Sequence, residues 1–146
     1  MAAGRDLTLE LAREVPAPRE AVWRALIEPD ELTRWWGPSG FTTPSIELDL
    51  RVGGGYRFAM QPPEGEAFHL SGAFTEVEPP ARLAYTFIWD PPNPDDQETL
   101  ATLSLEEAGN STRLTLVQGP FATKERLALH RDGWTESLEK LASLFT

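Results

Sequence analysis

The chain has 146 residues, no cysteine, and 13 Lys and Arg against 23 Asp and Glu, a formal charge of −10 at neutral pH. Disulfides, thiolate nucleophiles and cysteine-ligated metals are excluded, and the acidic balance opposes the counterion release that drives binding to phosphate backbones, so no nucleic acid or anionic membrane is expected as a partner. A chain of this length reads as one domain over residues 1–146, able to bury roughly 70% of the surface that its unfolded form exposes.

Arg5 and Asp6 interrupt the N-terminus before an apolar signal segment can form, and no run approaches the roughly 20 apolar residues of a membrane span. The expectation is a soluble, cytoplasmic protein that needs no cofactor. Leu7 to Val15 alternates apolar and polar over its first half, which suits a half-buried strand. Pro16 and Pro18 end it, with Pro18 suited to the first position of a helix that carries Val22, Trp23 and Leu26 at helical spacing. Pro29 starts a second short helix through Leu32 to Trp35.

After a Gly37-Pro38-Ser39-Gly40 break, strand-like runs follow at 43–50, 54–61, 67–77, 82–89, 99–107 and 111–118. Turn residues separate them: Gly53-Gly54-Gly55, Pro62-Pro63-Glu64-Gly65, Pro79-Pro80, Pro91-Pro92-Asn93-Pro94 and Gly109-Asn110. The glycine triplet runs into a strand and no Lys-Ser or Lys-Thr follows it, so it reads as a turn rather than a phosphate loop. The acidic, proline-rich stretch from Asp90 to Glu98 is expected to be a mobile loop. From Thr123 the period changes. Leu127, Trp134, Leu138, Leu141 and Phe145 recur at helical spacing over an amphipathic helix of about 22 residues.

This order, a strand, two short helices, an antiparallel meander and one long helix, defines an α+β fold of about seven strands. At about 4.8 Å per strand the sheet is on the order of 30 Å wide, whereas one helix is about 10–12 Å across. The sheet must curl around the helix, leaving a space between them. Alternate turns of a meander share an end. The 62–66 and 90–98 loops, the Gly119-Pro120-Phe121 turn and the Trp36-Gly37-Pro38 segment therefore gather at a mouth, and the tight turns at 51–55, 78–81 and 108–111 close a floor.

Large apolar side chains alternate along the strands that face this space. Candidate ligand-contacting residues are Trp36, Phe41, Tyr56, Phe58, Met60, Phe74, Tyr85, Phe87, Trp89, Leu103, Leu114, Phe121, Trp134 and Leu138, with Gln118 and His130 as polar groups that could orient a ligand. The alternative for each apolar position is a dry packed core. Trp89 and Tyr85 stand out, because a buried indole N–H or phenol O–H needs a partner that a ligand or water can supply. His130, one helical turn before Trp134, is expected to face the interior near Gln118 or Tyr85. It is there either as a neutral ring bonded to a backbone carbonyl or as a general acid or base. His69 is expected to point to solvent. Gly133 inside the long helix costs roughly 1 kcal/mol relative to Ala, so either a close strand or a ligand requires the missing side chain. No catalytic dyad or metal cluster is evident, and no catalytic residue is assigned.

Several segments carry a family resemblance: Pro18-Arg19-Glu20-Ala21-Val22-Trp23, Trp35-Trp36-Gly37-Pro38, Gly54-Gly55-Tyr56-Arg57-Phe58, Pro79 to Thr86 and His130-Arg131-Asp132-Gly133-Trp134. Together with the element order they resemble the helix-grip superfamily of START lipid-transfer domains and birch-pollen-allergen-like proteins (SRPBCC), most closely its bacterial branch similar to activators of the heat-shock-protein-90 ATPase. The resemblance implies a curved sheet gripping the C-terminal helix around a hydrophobic cavity. Many similar members carry a His near the end of the last strand, where this chain has Gln118, which weakens an enzymatic reading. The leading expectation is a binder of a hydrophobic small molecule, lipid- or polyketide-like. A cyclase, dehydratase or hydrolase using the same cavity is one alternative. The other is a domain that docks on a chaperone or another protein, which would require an exposed apolar or strongly acidic patch on the sheet's outer face; the positions expected there, Arg57, Ala59, Ala84, Thr86, Thr102, Ser104, Arg113 and Thr115, are small or polar, which argues against a large apolar surface. Monomer and homodimer both remain open.

Overall fold

A computed structural model describes residues 7–37, 40–90 and 96–145. Pro38 and Ser39, and the Pro91–Asp95 part of the acidic loop expected to be mobile, lie outside the described residues. The elements are β1 (Leu9–Val15), α1 (Arg19–Ile27), α2 (Pro29–Trp35), β2 (Thr42–Leu48), β3 (Gly55–Gln61), β4 (Phe68–Glu78), β5 (Arg82–Asp90), β6 (Thr99–Ala108), β7 (Ser111–Gly119) and α3 (Lys124–Ser143). The strands form a seven-stranded antiparallel sheet in the order β1-β7-β6-β5-β4-β3-β2, so the first two strands in sequence lie at opposite edges. The result is a curled half-barrel closed over by α3, the α+β helix-grip architecture expected from the sequence.

Helix boundaries follow local chemistry. Pro29 occupies the first turn of α2, where its missing N–H costs nothing. Pro18 stands one position earlier than expected, as the extended N-cap of α1. At α3 the hydroxyl of Thr123 accepts from the backbone N–H of Arg126 at 3.0 Å, satisfying one of the orphan donors of the first turn.

The curl has an identifiable cause in β4. The register of β4 on β5 shifts between Phe74 and Glu76, a bulge that bends the strand. Close by, a Cβ on Gly72 would lie 1.9 Å from the carbonyl oxygen of Thr86, a distance only glycine allows. Side chains substitute for the ladder at this kink. The Tyr56 hydroxyl donates to Thr86 O at 2.6 Å, and the Ala73 N–H donates to Thr86 Oγ1 at 2.9 Å.

Parity places the loops as the sequence suggested. The β2–β3, β4–β5 and β6–β7 turns share one end. The 62–67 connection, the Asp96–Glu98 approach to β6 and the Gly119–Thr123 segment share the other. There the Phe121 N–H donates to Leu7 O at 2.9 Å. The Trp36–Gly37 segment reaches the same end. It is pinned by Trp36 N to Leu32 O (2.9 Å), by the Thr43 hydroxyl to Trp36 O (3.2 Å) and by Gly37 N to Ser137 Oγ (3.1 Å).

The outer face departs from the expectation in two respects. Alongside the small and polar positions, Ile88, Leu100 and Val117 are 37–43% exposed, and the register sets them diagonally across β5, β6 and β7. His69 is half-buried on this face, opposite Asp90, rather than fully solvated.

Candidate functional site

Trp36 divides the interior into two levels. On the floor side, Tyr56, Phe58, Phe74 and Tyr85 pack with Leu26, Leu32, Leu48 and Trp36, leaving a void of only about 10 Å³. Rings touch edge to face or tilted throughout: Tyr56 lies 5.1 Å from Phe58, 5.2 Å from Tyr85 and 5.6 Å from Phe74. Such contacts add to the burial of large apolar surfaces. Burial is the main force raising both phenols far above their ordinary pKa range, so Tyr56 and Tyr85 stay protonated.

On the mouth side the packing opens into a cavity of about 370 Å³, within the range of small-molecule sites. Trp36, Gly37 and Phe41 enter from the segment after α2, Met60 from the end of β3, Phe68 from the start of β4, and Phe87 and Trp89 from the end of β5. Helix α3 supplies Arg126, Leu129, His130, Gly133, Trp134 and Ser137, positions three or four apart and hence on one face. The same helix then turns Leu138, Leu141 and Ala142 into the closed core. Its N-terminal half lines a space and its C-terminal half fills one.

Seven of the sixteen candidate residues therefore meet at the cavity wall: Trp36, Phe41, Met60, Phe87, Trp89, His130 and Trp134. Tyr56, Phe58, Phe74 and Tyr85 do not, because Trp36 lies between them and the opening, with its ring 5.0 Å from Phe58 and 5.2 Å from Trp134. Leu103, Leu114 and Leu138 belong to the solid core. Phe121 lies behind His130, 4.7 Å from its ring, and walls a separate small void. Gln118 is fully buried and committed to the protein. Its Oε1 accepts from the Trp134 indole N–H at 2.7 Å and its Nε2 donates to Thr99 Oγ1 at 2.9 Å. It holds Trp134 in place rather than reaching a ligand.

Gly37, Phe68, Arg126, Leu129 and Ser137 are wall residues absent from the sequence-based set. Phe68 was legible from strand alternation, two positions before Leu70. The α3 positions were legible from helical spacing around His130 and Trp134, but their mixed polarity masked them. Gly133 lies in the wall itself, consistent with a contact surface that needs no side chain there.

His130 does not approach Gln118 or Tyr85 as expected. Its Nδ1 lies 2.8 Å from the Arg126 carbonyl oxygen, and its Nε2 lies 2.9 Å from the Trp89 indole nitrogen. A carbonyl can only accept and an indole N–H can only donate, so the proton sits on Nδ1 and Nε2 accepts. Burial lowers its pKa below the ordinary histidine value. The Arg126 charge acts in the same direction, while the bond to the Arg126 carbonyl and the Asp96 charge oppose it. The ring is neutral with both nitrogens occupied. It offers neither proton nor lone pair to a ligand while the Trp89 bond holds. At the rim, Asp96 and Arg126 form an ion pair whose side chains are only 5% and 13% exposed. Leu129 stands 59% exposed at the opening.

A half-barrel gripping a long C-terminal helix, with an apolar cavity at its loop-rich end, defines a helix-grip protein of the START-like kind. The chain belongs to the Activator of Hsp90 ATPase homolog 1-like protein family, whose model matches residues 16–146, and the family generally carries a ligand-binding cavity. Among solved structures it resembles a protein from Nitrosomonas europaea, at 32% identity over 95% of this chain and 94% of that one, with a TM-score of 0.81. It also resembles the AHSA1 protein from Silicibacter pomeroyi (32% identity, 93% and 95% coverage, TM-score 0.80). A protein from Chromobacterium violaceum matches at 31% identity over 94% and 96% of the two chains, with a TM-score of 0.80. A search of curated proteins returned no match. No helix among the described residues is long and apolar enough to cross a membrane.

Proposed function

We propose that the protein binds a hydrophobic small molecule in the mouth-side cavity. The observation that carries this reading is the contrast between the two levels of one aromatic interior. The floor closes to about 10 Å³, while the level above, built from equally large side chains, holds about 370 Å³. Apolar side chains able to collapse do so, because each unfilled contact forfeits dispersion energy. A space kept open by fixed rings, a pinned Trp36 segment and a helix position without a side chain is suited to an apolar guest. The occupied nitrogens of His130 favour binding over acid–base chemistry.

Native mass spectrometry of gently purified protein, against the same sample denatured in acid, tests the reading. A released organic adduct supports it and gives the ligand's class. A clean apo mass that persists after incubation with aromatic hydrocarbons and with fatty alcohols contradicts it. Docking on a protein partner is a second reading, supported by the half-exposed Ile88, Leu100 and Val117 on the outer face. An Ile88→Ser/Leu100→Ser variant that keeps ligand binding but loses a captured partner would favour it.

A further inference from the structure

We propose that the ligand of this cavity is a neutral apolar ketone or ester whose carbonyl oxygen seats at the inner end, accepting from the Ser137 hydroxyl and the Trp36 indole N–H; this rests on the binding reading above. Along α3 the wall runs from Arg126 at the mouth through His130 and Trp134 to Ser137, beyond which Leu138 and Leu141 enter the closed core. Ser137 is 5% exposed and Trp36 6%. The two are neighbours, since the backbone N–H of Gly37, next in the chain after Trp36, donates to Ser137 Oγ at 3.1 Å.

Both side chains hold a donor that the protein leaves unspent. Elsewhere on α3 a hydroxyl gives its proton to the carbonyl four residues back, Thr135 to Arg131 O at 2.7 Å and Ser143 to Glu139 O at 2.9 Å. Ser137 makes no such bond: among the described residues it accepts from Gly37 N and donates to nothing. Of the indoles in the wall, Trp89 gives its N–H to His130 Nε2 and Trp134 gives its own to Gln118 Oε1. Trp36 has no acceptor among the described residues, and its nitrogen is not one of the partnerless polar atoms sealed from contact, so it borders open space. A buried donor left unpaired is costly, and two of them at one end of an apolar cavity point to an acceptor that the guest supplies.

The surroundings of that end narrow the acceptor. A carbonyl oxygen offers two lone pairs and no proton, one lone pair for each donor. A hydroxyl would bring a proton of its own, and the acceptors at hand are taken: Trp36 O by the Thr43 hydroxyl, Ser137 Oγ by Gly37 N and Gln118 Oε1 by Trp134. A carboxylate would be a buried anion facing two neutral donors. Arg126 cannot compensate it, being roughly three turns up the helix, about 16 Å by the rise per residue, and already paired with Asp96. Phe41, Met60, Phe68 and Phe87 in the wall set the apolar body of the guest.

Calorimetric titration of the full chain at neutral pH with 2-acetylnaphthalene, with 2-isopropylnaphthalene, which has the same shape without the oxygen, and with 2-naphthol tests this. The ketone is expected to bind about tenfold tighter than the hydrocarbon, as a doubly accepted hydrogen bond gives, and tighter than 2-naphthol. Equal binding of ketone and hydrocarbon leaves the cavity reading intact and overturns the carbonyl assignment, as does tightest binding of 2-naphthol. Failure of all three to bind overturns both. In Ser137→Ala the ratio of ketone to hydrocarbon affinity should fall at least about threefold, whereas a merely loosened cavity would weaken both guests alike; an unchanged ratio in a folded variant removes Ser137 as the donor. The indole N–H resonance of Trp36 should move downfield with the ketone and not with the hydrocarbon, and an equal response to both removes Trp36. The wild-type series decides by itself if the variant does not fold.

Discussion

Trp89 gives its indole N–H to His130 Nε2 across 2.9 Å, tying the last inward position of β5 to the helix that closes the barrel. Protonation of Nε2 would set two donors against each other, so the contact exists only for the neutral ring. The folded-state pKa of His130 is lowered, chiefly by burial. The unfolded chain therefore takes up the proton first as pH falls. This contribution to stability is fully present above about 6.5, declines as pH drops below it, and is lost by the time pH has passed through the folded pKa. Between about pH 7 and pH 5, the thermal midpoint of the wild type should fall more than that of His130→Phe, which cannot titrate. Parallel curves would show that the ring is not buried neutral.

Gln118 stands behind the cavity as a support for Trp134. In Gln118→Leu the buried indole N–H loses its acceptor, which costs about 1–3 kcal/mol. Urea denaturation should show that loss, accompanied by a change in tryptophan emission. A variant as stable as the wild type would mean that Trp134 finds another partner.

Tyr56 tests the separation of the two levels. Tyr56→Phe removes the bond to Thr86 O and leaves that carbonyl short of a donor, so stability should drop by about 1–2 kcal/mol. Affinity for 2-naphthol should be unchanged, because the residue lies below Trp36. A parallel loss of affinity would place Tyr56 in the site after all.

Gly72 marks where the curl is enforced. A methyl there would stand 1.9 Å from the Thr86 carbonyl oxygen. Gly72→Ala should destabilise by about 3 kcal/mol or more, or fail to fold, as backbone clashes in a core do. A mild effect would show that β4 and β5 can part at this point.

Most of the architecture was legible in the sequence because its signals are local. Strand alternation, proline and glycine turns and the change of period at Thr123 place every element within a few residues, and sheet width against helix width forces the curl. The site was legible only by half, for a reason of depth. Tyr56, Phe58 and Met60 share one face of β3, and Tyr85, Phe87 and Trp89 share one face of β5. Alternation assigns a face, not a height along the strand. The upper members reach the cavity and the lower ones are sealed beneath Trp36, whose position depends on long-range bonds such as Gly37 N to Ser137 Oγ. The partnership of His130 with Trp89 likewise spans 41 positions in the chain, beyond any local pattern.

The most direct test of the central claim is to fill the cavity from the helix. Gly133 lies in the cavity wall at the centre of α3, and leucine is the better helix former by roughly 0.8 kcal/mol. Gly133→Leu should therefore remain folded while occupying guest space. The measurement is the affinity of 2-naphthol, or of whatever ligand native mass spectrometry identifies, for this variant beside the wild type. A folded protein whose affinity falls at least about tenfold, the loss of roughly 1.4 kcal/mol of contact, is the expected result. Unchanged affinity in a folded variant would contradict the account, since the guest would then have to lie elsewhere.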